Sequence, residues 1–117
     1  MAFAFGSANP AWFEGARAGL GSVHTPGPWT LGDVQAWIRA RIIGDRRSMA
    51  ECLSRLRSVA FDDGMLPEAY NADPLDDRRI RHWFAWPGAA LAALTLLDRD
   101  ERLSERLAVR RLASIDP

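Results

Sequence analysis

The chain has no lysine, one cysteine, one tyrosine and no apolar run of membrane length, and its charges cancel at 15 acidic against 15 basic side chains. Each shortage closes off a class of function. Balanced charge with no long run of either sign leaves no electrostatic footprint for nucleic acid and no basic helix face for a membrane surface. A lone Cys52 excludes a disulfide framework; it sits in a helical apolar pattern and reads as a core residue in a reducing, cytoplasmic setting. No segment reaches the ~20 apolar residues of a membrane helix. The start, "MAFAFGSANP", has neither the positive flank nor the apolar run of a secretory signal. Two histidines far apart and one cysteine, without a spacing such as His-x-x-x-His, give no reason to expect a metal. No P-loop, no Gly-x-Gly-x-x-Gly leading into a helix and no Ser-His-Asp order is present, so no cofactor is expected and acyl or phosphoryl transfer has no motif. The exclusive use of arginine reads as coding bias, although arginine forks onto carboxylates and hydroxyls as lysine cannot.

What is present is a chain of 117 residues, 48% of them hydrophobic, enough for one modest core in one domain or part of one. Residues 1–8 read as a tail and 9–117 as the structured segment. Up to Trp29 the chain is rich in Gly and Pro, which forbids a long regular element. Apolar residues at Leu31, Val34, Ile38 and Ile42, with Trp37 beside them and Gly44 as a stop, predict a helix over Thr30–Ile43. Ser48 followed by Glu51 reads as a capping box opening a second, one-sided helix over Ser48–Ala60, with Met49, Cys52, Leu53, Leu56, Val59 and Ala60 on one face. A third begins near Trp86-Pro87 and runs without a charge through Leu97, apolar all round. Leu103, Leu107 and Leu112, spaced by arginines and glutamates, predict a last amphipathic helix. No convincing strand is found. The expectation is therefore all-α: two helical pairs joined by a loop of about twenty residues, longer than helical connections need. A helix apolar on all sides requires enclosure that so few neighbours cannot supply, which suggests part of a larger helical assembly.

Three stretches could carry chemistry. In "GMLPEAYNADP" (Gly64 to Pro74), Glu68 stands between two prolines and near Tyr70, where partial burial would tune a general acid or base; a solvated loop acid is the plainer reading. In "GLGSVHTPGPW" (Gly19 to Trp29), His24 and Thr25 could bind a sugar or phosphate, or simply bond the local backbone. In "RRIRHWFAW" (Arg78 to Trp86), Arg81 and Trp83 suit a carbohydrate, whose C–H faces stack on rings and whose hydroxyls accept forks, while Phe84 and Trp86 read as core.

These stretches together with "NPAWFEG" (Asn9 to Gly15), in this order and at similar spacing, resemble the C-terminal part of glycoside hydrolase family 125, the metal-independent exo-α-1,6-mannosidases. The resemblance covers residues 9 to 97, and the tail is similar to the final outer helix of that family. It implies a partial (α/α)6 toroid, and an inverting hydrolysis of terminal α-1,6-linked mannose by an acid and a base standing roughly 6.5–9.5 Å apart. It places the general base on Glu68 and makes His24, Thr25, Arg81 and Trp83 pocket residues, with an α-mannoside as ligand. The chain departs from the family pattern at Pro67, where a histidine is usual, and at Pro87 and Gly88, where small polar residues are usual. The block that supplies the acid lies upstream of anything here, so the expectation is half a catalytic pair, completed by the missing part of the toroid or by self-association. The alternative is a catalytically inactive helical module that binds a carbohydrate or a partner.

Overall fold

The computed structural model describes residues 5–80, 86–100 and 102, without the side chain of Trp86. In chain order the elements are β1 (Trp12–Phe13), β2 (Gly19–Leu20), α1 (Thr30–Ile43), α2 (Arg46–Val59), β3 (Ala69–Tyr70), β4 (Arg79–Ile80) and α3 (Trp86–Arg99). Helix dominates, as expected, but the all-α expectation needs correction. β1 pairs antiparallel with β2, and β3 with β4, each over two residues. Such short pairs carry no alternating pattern to announce them; they form because loop backbone packed against helices must satisfy its N–H and C=O groups.

α1 ends where the sequence indicates. Gly44 adopts a left-handed conformation with φ 74°, and its N–H bonds back to the carbonyls of Ala40 and Arg41. The buried face is rotated from the expected stripe, however. Val34, Trp37 and Ala40 are buried together with the polar Thr30 and Asp33, while Leu31 and Ile38 sit at the margin. Local periodicity overlooked this because the partners of the two polar groups come from elsewhere in the chain. α2 begins two residues earlier than expected. Its N-cap is Asp45, whose carboxylate accepts from the Ser48 backbone N–H at 3.0 Å and from the Ser48 hydroxyl at 2.7 Å. Ser48 is thus the third residue of the turn, and Glu51 bonds Arg47 at 2.8 Å instead of closing a capping box. The predicted apolar face of α2 is correct: Cys52, Leu56 and Val59 are buried.

α1 is the central helix and packs against both α2 and α3. Val34 and Trp37 meet Cys52, Leu56, Leu66, Ala90, Leu94 and Leu97 in one core. α3 buries only one side; Leu91 and Leu96, 42% and 61% exposed, face solvent. No described helix is long and apolar enough to cross a membrane. The expected last helix, Leu103 to Leu112, lies outside the described residues.

Trp37 is the largest fully buried side chain. Replacing it with Ala removes the ring from the junction of three helices and is expected to cost about 3–5 kcal/mol, the range for large aromatic truncations. Urea unfolding monitored by circular dichroism would show this as a lower midpoint at unchanged slope.

Candidate functional site

The described parts of the quoted sequence blocks meet in one layer of loops at the start of α1. The Trp29 N–H donates to Leu20 O at 2.9 Å, and the Tyr70 N–H to Pro28 O at 3.1 Å. The Thr30 N–H reaches Glu68 O at 3.2 Å, while the Glu68 N–H donates to Ile80 O at 2.8 Å. The Arg17 N–H closes the set on Ala72 O at 2.9 Å. Segments far apart in sequence are thereby laced through main-chain bonds, with Glu68 bonded on both sides. The approach is close enough to demand glycine. A Cβ on Gly27 would lie 2.0 Å from Tyr70 O, and one on Gly32 would lie 2.4 Å from Leu20 O.

Beneath this layer lies the buried polar cluster that the local pattern does not reveal. Asp33, from the core face of α1, accepts from Arg55 Nε at 2.6 Å and from the Tyr70 hydroxyl at 2.5 Å. Its side chain is 1% exposed, against 20% for Arg55. Thr30, one turn earlier, donates its hydroxyl to Pro67 O at 2.7 Å. A buried carboxylate is costly unless paired and bonded, and here each oxygen has a donor. Burial nonetheless pushes the Asp33 carboxyl above its ordinary value, against the opposing pull of Arg55 and Tyr70. Burial works to lower the Arg55 guanidinium, but the charge and hydrogen bond of Asp33 prevail and hold it above its usual value. Burial, then the neighbouring Asp33, push the Tyr70 phenol well above its ordinary range, so it stays a protonated donor. One clue was present in the sequence: Asp33 falls at helical spacing from Trp37 and Ala40, on a face where an unpaired acid would be untenable.

A second tie missed by the sequence joins the loop to α2. Arg79 donates to Ala60 O at 2.8 Å and lies over the Phe61 ring at 4.9 Å. It satisfies a carbonyl at the end of the helix, a role local sequence cannot assign to a residue 19 positions on.

The sequence candidates are distributed as follows. Glu68 is half-buried between the buried Pro67 and Ala69. His24 is exposed, and its backbone N–H donates to Ser22 Oγ at 3.1 Å. The Thr25 hydroxyl is engaged inside its own turn, accepting from the Ser22 N–H at 3.0 Å and lying 3.0 Å from Gly27 O. Glu68, His24 and Thr25 thus belong to segments that the backbone ladder joins, while Arg81 and Trp83 lie outside the described residues. A cleft of about 360 Å³ opens beside the Asp33 cluster, lined by Ala16, Arg17, Glu51, Ser54, Arg55 and Ser58, and none of the sequence candidates lines it. Among the described residues no group of three or more His, Cys, Asp or Glu side chains is placed to hold a metal. No family model, no curated protein and no solved structure matches the chain.

Two measurements probe the cluster. Asp33→Ala strands Arg55 and the Tyr70 hydroxyl and is expected to cost about 3–5 kcal/mol. Tyr70→Phe removes one donor and is expected to cost about 1–3 kcal/mol. The two losses should fall short of adding in the double variant, since both report the same bond. The second measurement uses pH. Burial, the leading cause, raises the Cys52 thiol from its ordinary 9.0 to about 11, with Asp33 and Glu51 adding to it and Arg55 opposing. The unfolded chain therefore releases this proton first. Its contribution to stability is complete below pH 9 and is lost as pH rises through 11. Stability should fall across that window by up to about 1.4 kcal/mol per pH unit, and Cys52→Ala should remove the part of the decline that starts near the ordinary thiol value.

Proposed function

We propose that this chain forms the base-bearing wall of the sugar pocket in an inverting α-mannosidase of the family 125 type, a partial (α/α)6 toroid in which Glu68 is the general base. What supports the reading is the convergence of the loops. The backbone ladder brings three of the blocks on which the resemblance rests, two near Trp12 and Gly19 and one around Glu68 nearly fifty residues on, into one layer at the head of the central helix. A general base must be held still against the water it activates. In keeping with that demand, the Glu68 main chain is fixed: its N–H and C=O are both bonded, and both neighbours in sequence are buried. The exposed leucines of α3 fit a toroid whose next helices lie outside this set of elements.

In the proposed reaction Glu68 takes a proton from water attacking the anomeric carbon. The leaving oxygen receives its proton from an acid on the opposite wall, for which these 117 residues contain no matched block. Arg81 and Trp83 would fork onto hydroxyls and stack on the sugar face, with His24 at the rim. The 117-residue chain by itself is expected to release no mannose from an α-1,6-mannobioside, because half of an inverting pair leaves little turnover. It is expected to bind the α-mannoside weakly, with saturable amide shifts at residues 68–71 and none with a galactoside. Mannoside-independent amides at 68–71 would defeat the pocket assignment. Robust mannose release would defeat the missing-acid part alone. A chain that binds but stays inactive when supplied with the rest of a toroid would favour the non-catalytic carbohydrate-binding module.

A further inference from the structure

We propose that the cleft between residues 16–17 and one face of α2 is a binding site for a small oxyanion, a phosphate or carboxylate group, separate from the Glu68 wall. The cleft measures about 360 Å³, room for a small molecule, and Arg17, Ser54 and Arg55 supply its donors. Arg17 takes part in none of the ion pairs among the described residues, which join Arg47 to Glu51, Arg55 to Asp33 and Arg78 to Asp76. Arg55 spends Nε on Asp33 and sets Nη2 3.6 Å from Cys52 Sγ, a weak acceptor. A guanidinium carries five N–H donors, more than these contacts use. The one carboxylate in the lining, Glu51, is bonded to Arg47 at 2.8 Å. Among the residues that line the cleft, two arginines (Arg17, Arg55) stand against one carboxylate (Glu51), so the lining is positive on balance.

One donor is held before any ligand arrives: Arg55 is braced from behind by the buried Asp33, and the main chain at Arg17 is fixed by its bond to Ala72 O. Bracing lowers the ordering cost of binding. Planar guanidinium forks match the paired oxygens of phosphate and carboxylate, whereas a cation meets repulsion and a neutral polyol leaves the excess charge uncompensated.

The test is an amide-shift titration of the full chain at low ionic strength, with inorganic phosphate and acetate as separate probes and sodium chloride as the ionic-strength control. Expected are saturable shifts confined to residues 16–18 and 51–58, with a dissociation constant on the order of 1 mM, the weak end of the affinity scale. Arg17→Gln should weaken binding at least tenfold. Arg46→Gln, on the same helix but outside the cleft, should leave it unchanged. Tighter phosphate marks a phosphorylated ligand and tighter acetate a carboxylate, and either supports the site. Shifts that sodium chloride reproduces at equal ionic strength, or undiminished binding by a folded Arg17→Gln chain, would overturn it.

Discussion

The arrangement depends on Asp33. It ties three parts of this small structure together by polar bonds: it belongs to the central helix, takes a hydrogen bond from Arg55 of α2, and takes another from Tyr70 of the loop. A carboxylate there destabilises the fold unless both donors arrive, so its burial specifies how the pieces fit more than it adds to stability. Alternative packings that slide α2 along α1, or lift the loop away, leave a charge stranded in the core. The surrounding contacts between Val34, Trp37, Cys52 and Leu56 are apolar and would tolerate small displacements; the polar cluster would not.

Above the cluster, the loops behave as a thin extension of the helical core. Their order comes from main-chain bonds between segments with little apolar area of their own, from the glycines that permit close approach, and from local turns such as that of Asn71, whose side chain accepts from the Asp73 N–H at 2.9 Å and donates to Asp76. Long loops are ordinarily mobile. Here the segment from Leu66 to Tyr70 is buried apart from the half-buried Glu68, which gives that acid a stiff mounting without any secondary structure of appreciable length.

How much of this could be read in the sequence follows the range of the interactions. α1 and α3 were legible because apolar spacing, Gly44 and Pro87 act within a few residues. The start of α2 was misplaced because two overlapping caps compete, Asp45 with Ser48 and Ser48 with Glu51, and the first wins while Arg47 draws Glu51 aside. The buried face of α1 was misjudged because Thr30 and Asp33 are polar and their partners lie 37 and 22 residues away. The two-residue strands had no periodicity to read. Of the site, the lacing of the loops, the Asp33 cluster and the Arg17 cleft arise from tertiary contacts that no local pattern encodes.

Arg79 has a consequence beyond its own contacts. By bonding the end of α2 from a loop whose other residues brace the start of α1, it makes the loops structural members of the helices they follow. In many scaffolds the recognition loops can drift in evolution while the frame stays constant. In this chain frame and loops share the same bonds, so mutations in the loops also draw on folding stability, and change there should come in compensated pairs instead of single steps.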